Sequence, residues 1–334
     1  PDLVFTGTDF NTDEIEYNVQ VHTDNAFGQK NFSAANEFSS LAAIFLKPDG
    51  TKMYLGNFTN YGTAAIHQYS LGTAWDVSSA TYDSKSGNVG TYDYYGTGLY
   101  FSDDGTKMYS CNRGGGAGNT TVDQYNLSTA WDVSTAAFSY SLNVYSTLMY
   151  PSGICFSNDG TKLYINNDSN STSDATYQYN LSSAWTLSSA TYASKNVVVG
   201  SYYTTARQVA ITSDGLNFYN SCANTKSVYW YILGTANDIS TAVYQGKVLD
   251  LGSYNNMFAL FINADASNIY VSGGTGATNN TVYEFVPPLL SKFSATNDAT
   301  ENSAAEWNCG VSCFIKAGYF GNFSANFLPW PVNE

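Results

Sequence analysis

Few side chains in this chain have the type and spacing for chemistry. His22 and His67 are its only imidazoles. Neither stands at motif distance from a nucleophile: G-x-S-x-G does not occur, and no cysteine has a histidine partner at a recognisable interval. No H-x-x-x-H and no Cys/His cluster offers a transition-metal set. Glycoside hydrolysis needs two carboxyls about 5–10 Å apart, one of them an acid. Glu37 and Asp93 are the only pair that the chain's periodicity, described below, places at one mouth. A turn acid and a solvated acid explain them equally well. The run Asp168-Ser169-Asn170-Ser171-Thr172-Ser173-Asp174 alternates oxygen donors, which makes Asp168, Asn170 and Asp174 a Ca2+ candidate. It lacks the glycine and the terminal glutamate of a helix-loop-helix site, and a polar loop between strands accounts for it more simply. The expectation is no catalytic residue and no cofactor.

Five cysteines are too few for a disulfide scaffold. Cys111, Cys155 and Cys222 are far apart, whereas Cys309 and Cys313 are near enough in sequence for a link. An odd total leaves a thiol over unless it pairs between chains.

Composition narrows the partners. Charged residues are 12% of the 334, half the usual share of about 25%, and tyrosines number 28. With 13 Lys and Arg against 27 Asp and Glu the net charge is −14, and Arg113 and Arg207 are the only arginines. Nucleic acid and anionic membranes do not fit that balance. No apolar run reaches the roughly 18 residues that a membrane span needs. The start at Pro1, without Met or a signal peptide, reads as a processed product or a fragment.

The elements that must position these residues come from a repeat. Asp-Gly recurs at 49–50, 104–105, 159–160 and 214–215, with a degenerate copy at Asp265-Ala266. Each pair separates two apolar runs, such as Leu99-Tyr100-Phe101 and Lys107-Met108-Tyr109, and that is a strong hairpin signal. The first run is nearly all apolar and reads as buried on both faces. A third strand follows about 20 residues on, as in Asp123-Gln124-Tyr125. A loop of the form L-[SG]-[ST]-A-W-[DT]-[VL]-S-[ST]-A then occupies 71–80, 127–136 and 181–190, with a variant at 233–242 that has Asn237 for Trp. A fourth strand ends each unit.

Four short antiparallel strands at a period near 50 residues predict an all-β, five-bladed β-propeller over 26–286. The fifth unit lacks its fourth strand, since Pro287-Pro288 interrupts the pattern. Residues 26–35 stand in the matching register upstream of the first unit, so an N-terminal strand is predicted to close the ring and remove a sheet edge. The recurrent Trp75, Trp131 and Trp185 read as plugs between blades. Asp76 and Asp132, each two residues before a serine, read as turn caps.

The pairing of F-S-[DN]-D-G-T-K-[ML]-Y at 101–109 and 156–164 with Q-Y-N-L-S-T-A-W-D-V-S-T-A at 124–136 resembles a β-propeller repeat found in many marine bacterial and phage proteins. The resemblance covers about residues 26–286. It implies an extracellular, cell-surface or virion location and no residue-specific role.

Residues 1–25 form an N-terminal extension, and 287–334 form an aromatic-rich C-terminal extension expected to pack on the propeller or on a neighbouring subunit. In a propeller, the loops entering the inner strands and those joining the second and third strands meet at one mouth, the default site for a ligand. Glu37, Asp93, Tyr94, Tyr95, Tyr150, Tyr202, Tyr203 and Arg207 fall there. The tyrosines suit sugar stacking. The expected function is a non-enzymatic surface module that joins protein subunits, its own copies included, through the C-terminal extension. A glycan-binding, lectin-like propeller is the alternative, and a propeller glycosidase a more distant one.

Overall fold

The Asp-Gly repeat folds as its chemistry dictates. Asp49 Oδ1 accepts the Thr51 N–H at 3.0 Å, and Gly50 takes φ +69°. The same turn recurs at Asp104 and Asp159. In the computed structural model the described residues are 3–4, 14–18, 20–21, 30–37, 41–57, 64–89, 96–113, 120–169, 171–251, 257–264, 266–273, 280–285, 292–296, 306–308 and 314–316. Five four-stranded antiparallel sheets form a five-bladed β-propeller. Blade 1 runs Leu41–Leu46, Lys52–Asn57, Ala65–Leu71 and Ala80–Asn88. Blade 2 runs Gly96–Phe101, Lys107–Arg113, Thr120–Leu127 and Ala136–Asn143. Blade 3 runs Pro151–Phe156, Lys162–Asn167, Ala175–Leu181 and Ala190–Val198. Blade 4 runs Ala206–Ile211, Asn217–Cys222, Ser227–Leu233 and Ala242–Asp250. Blade 5 has Met257–Ile262, Ile269–Gly273 and Thr281–Phe285, and its outer strand is Lys30–Ser33, in register from Thr281↔Ser33 to Glu284↔Lys30. The N-terminal strand therefore closes the ring.

Residues 1–25 and 288–334 make up a second unit, in which Glu14–Asn18 pairs with Lys292–Thr296. The two extensions, read from the sequence as separate segments, share a strand pair. Cys309 and Cys313 lie outside the described residues.

Five apolar clusters form the propeller core, each between two neighbouring blades. The polar residues of the repeat stitch these seams. The tyrosine of each K-[ML]-Y segment reaches the carbonyl at the Trp position of the following blade: Tyr54 to Trp131 at 2.8 Å and Tyr109 to Trp185 at 2.6 Å. Tyr164 reaches Asn237 at 2.9 Å, and Tyr270 closes the ring onto Trp75 at 2.9 Å. Beside each tyrosine, Gln68, Gln124 and Gln178 accept the N–H of Val133, Leu187 and Ile239. Between blades 4 and 5 these two links are absent among the described residues. Trp230 stands at the glutamine's place there, packed on the cluster that blade 4 shares with blade 5.

The closing seam differs in one residue. Where three seams use glutamine, the seam of blades 5 and 1 uses Glu284, which accepts from Val77 at 3.2 Å and from Asn268 at 3.1 Å. Burial raises its carboxyl above the ordinary value, while the Val77 N–H and the Lys30 charge pull it down and Asp76 pushes it up. A raised folded-state pKa favours the protonated form, so the contribution is fully present in acid and is lost as pH rises through the folded value. Glu284→Gln is therefore expected to raise the melting midpoint at neutral pH and leave it unchanged in acid, with a gain of roughly 1 kcal/mol, the scale of one hydrogen bond. Melting curves of both proteins across pH 3–8 check this. Equal midpoints at neutral pH would mean that the seam holds the carboxylate without cost.

Candidate functional site

The propeller axis is packed. Phe45, Tyr100, Cys155, Ala210 and Phe261 stand at equivalent positions of the five inner strands. Phe45 meets Tyr100 and Phe261 edge-on at 5.2 and 5.3 Å. The cavity they line is about 40 Å3, room for about one water. Burial pushes the Cys155 thiol far up, which makes it a packing group and not a nucleophile. Cys111 and Cys222 are likewise buried.

Polar chemistry gathers at the end of the ring where inner strands begin and second strands finish. Arg113 and Asp168 stand nine residues after the aspartate of their own Asp-Gly turns, so they occupy one repeat position in blades 2 and 3. Blades 1 and 4 have Phe58 and Ala223 there. Arg207 lies on the inner strand of blade 4, at the bulge between Ala206 and Val209. The three meet on one atom: Asp168 Oδ2 takes Arg113 Nη1 at 2.9 Å and Arg207 Nη1 at 2.8 Å. Arg113 Nη2 also donates to the Asp168 carbonyl at 3.1 Å. The Asp168 side chain is 1% exposed, against 24% for Arg113 and 17% for Arg207. Burial lowers the Arg207 pKa from its ordinary value; the Asp168 charge opposes that shift and the Arg113 charge adds to it. The Arg113 guanidinium lies 5.3 Å from the centre of the exposed Tyr150 ring, a cation–π arrangement. Two backbone links, Tyr150 N–H to Asn167 Oδ1 and Asp168 N–H to the Tyr150 carbonyl, hold that tyrosine beside the ion cluster.

The alternating acidic loop is organised around protein donors. Asp174 Oδ1 accepts Ser169 N–H at 2.8 Å, Ser169 Oγ–H at 2.7 Å and Ser171 N–H at 3.3 Å. Its Oδ2 accepts Thr205 N–H at 2.7 Å and Ala206 N–H at 3.1 Å, which ties blade 3's loop to the entry of blade 4. The structure thus turns Asp168 to arginines and Asp174 to N–H and O–H donors. Asn170 lies outside the described residues.

The tyrosines separate. Tyr150 is at the ion cluster. Tyr202 stacks on Tyr244 of blade 4's outer strand at 4.0 Å, away from it. Tyr203 is buried, stacked on Tyr229 at 4.0 Å, and accepts the Tyr231 hydroxyl at 3.1 Å. Glu37 is half-buried in the turn after the closing strand, where its charge helps raise the Tyr69 pKa, behind the larger effect of burial. Asp93, Tyr94 and Tyr95 lie outside the described residues, as does His22. His67 is held below its ordinary pKa by burial on blade 1's third strand.

Sequence reasoning picked out Arg207, Tyr150 and Asp168 singly and missed Arg113 as their partner. The available signal was that Arg207 stands where the sister blades have uncharged residues, and that Arg113 and Asp168 put opposite charges at one repeat position where blades 1 and 4 have Phe58 and Ala223.

The fold and this face define a closed five-bladed β-propeller with a charged cluster off its repeat pattern. No family model matches the chain, and no curated protein matches it. Among solved structures, it is similar to a protein of unknown function from Desulfotomaculum acetoxidans, at 9% identity and TM-score 0.42 over 88% of this chain and 75% of that one. A candidate 6-phosphogluconolactonase from Bacteroides uniformis is similar at 12% identity and TM-score 0.44, over 84% and 71% of the two chains.

Proposed function

We propose that the protein is a non-enzymatic β-propeller of an extracellular, cell-surface or virion assembly, and that it attaches through the loop face of blades 2 to 4. One observation carries the reading: the charged chemistry that breaks the repeat, Arg113, Asp168 and Arg207 with Tyr150 beside them, is gathered on that face. Residues repeated in every blade serve the seams, and residues that break the pattern are the ones left for recognition. The small cavity among the described inner strands, about 40 Å3, is in keeping with that reading. Other protein subunits, including further copies of this chain, are the partners of the C-terminal extension, and glycans are the ligands of the loop face.

Light scattering tests the subunit role. The full chain is expected to assemble, and a chain ending at 287 is expected to run as a monomer. A full chain that is itself monomeric overturns that role. A broad glycan array tests the loop face: hits are expected with the full chain, and their loss in Tyr150→Ala assigns them to it.

A further inference from the structure

We propose that the outer edge of blade 2, Ala136–Asn143, takes up a strand from the C-terminal extension of a second copy of this chain, supplied by residues 318–328. This rests on the reading above that the extension joins subunits, and it names the surface that receives it. The outer strand of a blade turns a row of backbone N–H and C=O groups outward, a template for one more strand. Proteins guard such edges with charge, lysine above all, and with kinks in the strand. Four of the five outer strands here carry charge: Asp83 and Lys85 in blade 1, Lys195 in blade 3, Lys247 and Asp250 in blade 4, and Lys30 in the closing strand of blade 5. The outer strand of blade 2, A-A-F-S-Y-S-L-N, carries none.

The exception is built from several changes at once. Lys30, Lys85 and Lys195 each bond an aspartate of the next blade's loop, Asp76, Asp132 and Asp238. At the seam of blades 2 and 3 both partners differ. Tyr140 stands across from Gln124, where Lys85 and Lys195 stand across from Gln68 and Gln178, and Thr186 takes the aspartate's place. Blades 1, 3 and 4 also hold a residue of positive φ in the outer strand, Ser84, Ser194 and Gly246, and blade 2 holds none. Phe138 and Tyr140 are 37% and 38% exposed, which makes this the one outer strand with two exposed aromatic residues among the described residues. The strand is the last of its sheet, and no further strand pairs with it among the described residues.

The occupant matches that edge in character. Residues 317–333 hold no charged side chain, in a chain whose net charge is −14. Gly321, Phe323, Ala325 and Phe327 alternate with Asn322, Ser324 and Asn326, the period of a half-buried strand. Pro329 ends the run, and Gly318 to Leu328 is long enough to span the eight residues of the acceptor strand. An uncharged strand on an uncharged edge lets two acidic copies meet without bringing their charges together.

The test follows assembly of the full chain by light scattering over a concentration series, and hydrogen exchange of 136–143 over the same series. Assembly and protection of that strand are expected to rise together. Tyr140→Lys gives this edge the type of side chain that blades 1 and 3 already carry. It and Phe323→Lys are each expected to weaken assembly at least about tenfold, and Tyr192→Lys, on the outer strand of blade 3, to leave it unchanged. Each variant adds one positive charge to an acidic chain, which lessens repulsion between copies, so a loss reports the contact itself. Tyr140 is exposed, so its variant stays informative where a change in the extension alters that unit's own fold. A full chain that is monomeric overturns the inference and the subunit role together. Assembly that survives Tyr140→Lys overturns the inference and leaves the subunit role standing. Assembly lost in Tyr140→Lys and kept in Phe323→Lys also overturns it, because another segment then occupies the edge. An equal loss in Tyr192→Lys overturns it as well, because the effect is then not particular to blade 2.

Discussion

Asp168→Asn is expected to destabilise the propeller by roughly 3–5 kcal/mol, the range for breaking a buried ion pair from one side. The substitution keeps the shape and removes the charge. Two guanidinium groups that now share Oδ2 at 2.8 and 2.9 Å would face each other without an anion between them. Asp174 does not take over, because its oxygens face the Ser169, Thr205 and Ala206 donors. The Asp168 carbonyl still accepts Arg113 Nη2, so part of the geometry survives. The loss is electrostatic, and it is relieved by removing one cation: Asp168→Asn with Arg207→Gln is expected to recover about half of it. Urea denaturation of the two single variants and the double variant closes the cycle. Strictly additive losses, or a loss below about 1 kcal/mol for Asp168→Asn, would mean that the arginines are held apart by their surroundings and not by Asp168.

What was legible in the sequence follows from the range of each interaction. The Asp-Gly turns were plain because the aspartate caps its own turn within two residues and the glycine supplies its own positive φ. The closing strand was legible as a gap: unit 5 lacked a fourth strand, and 26–35 was the unassigned segment in register. The seams were only half legible. Tyr54, Tyr109, Tyr164 and Tyr270 recur visibly, but the carbonyls they reach belong to the next blade's loop, far along the chain. Periodicity reports that such a tyrosine matters and not what it touches. The ion cluster was the hardest part. Arg113, Asp168 and Arg207 come from three blades, and alternating oxygens at 168–174 look alike whether guanidinium groups, N–H donors or a metal ion will face them. Tyr202 and Tyr203 show the same limit at shorter range: they are adjacent, and a half-turn of backbone sends one outward onto Tyr244 and the other into the core.

Trp131→Ala is expected to cost about 3 kcal/mol, near the low end for deleting a large aromatic because the indole is only partly buried. Its ring lies 5.6 Å from Phe101 in its own blade, and 6.3 and 6.4 Å from Tyr54 and Phe45 in blade 1. Lys47 Nζ sits 5.7 Å from the ring, so the cation–π contact is lost as well. The indole also covers Gly105, where a Cβ would lie 2.2 Å from Cε2. Removing it uncovers the Asp-Gly turn and the seam of blades 1 and 2 together. The backbone adds a second effect. Trp131 holds φ +65°, a conformation that costs an ordinary residue about 1–2 kcal/mol and that asparagine adopts more readily. Blade 4 has made that exchange: Asn237 takes φ +61°, and its carbonyl still receives the Tyr164 hydroxyl at 2.9 Å. Trp131→Asn should therefore lose the packing and keep the backbone link, at a cost about 1 kcal/mol smaller than Trp131→Ala. Chemical denaturation of the two variants separates the effects. Equal losses would mean that the strained backbone contributes nothing measurable, and a loss below about 1 kcal/mol for Trp131→Ala would mean that the indole covers the seam without stabilising it.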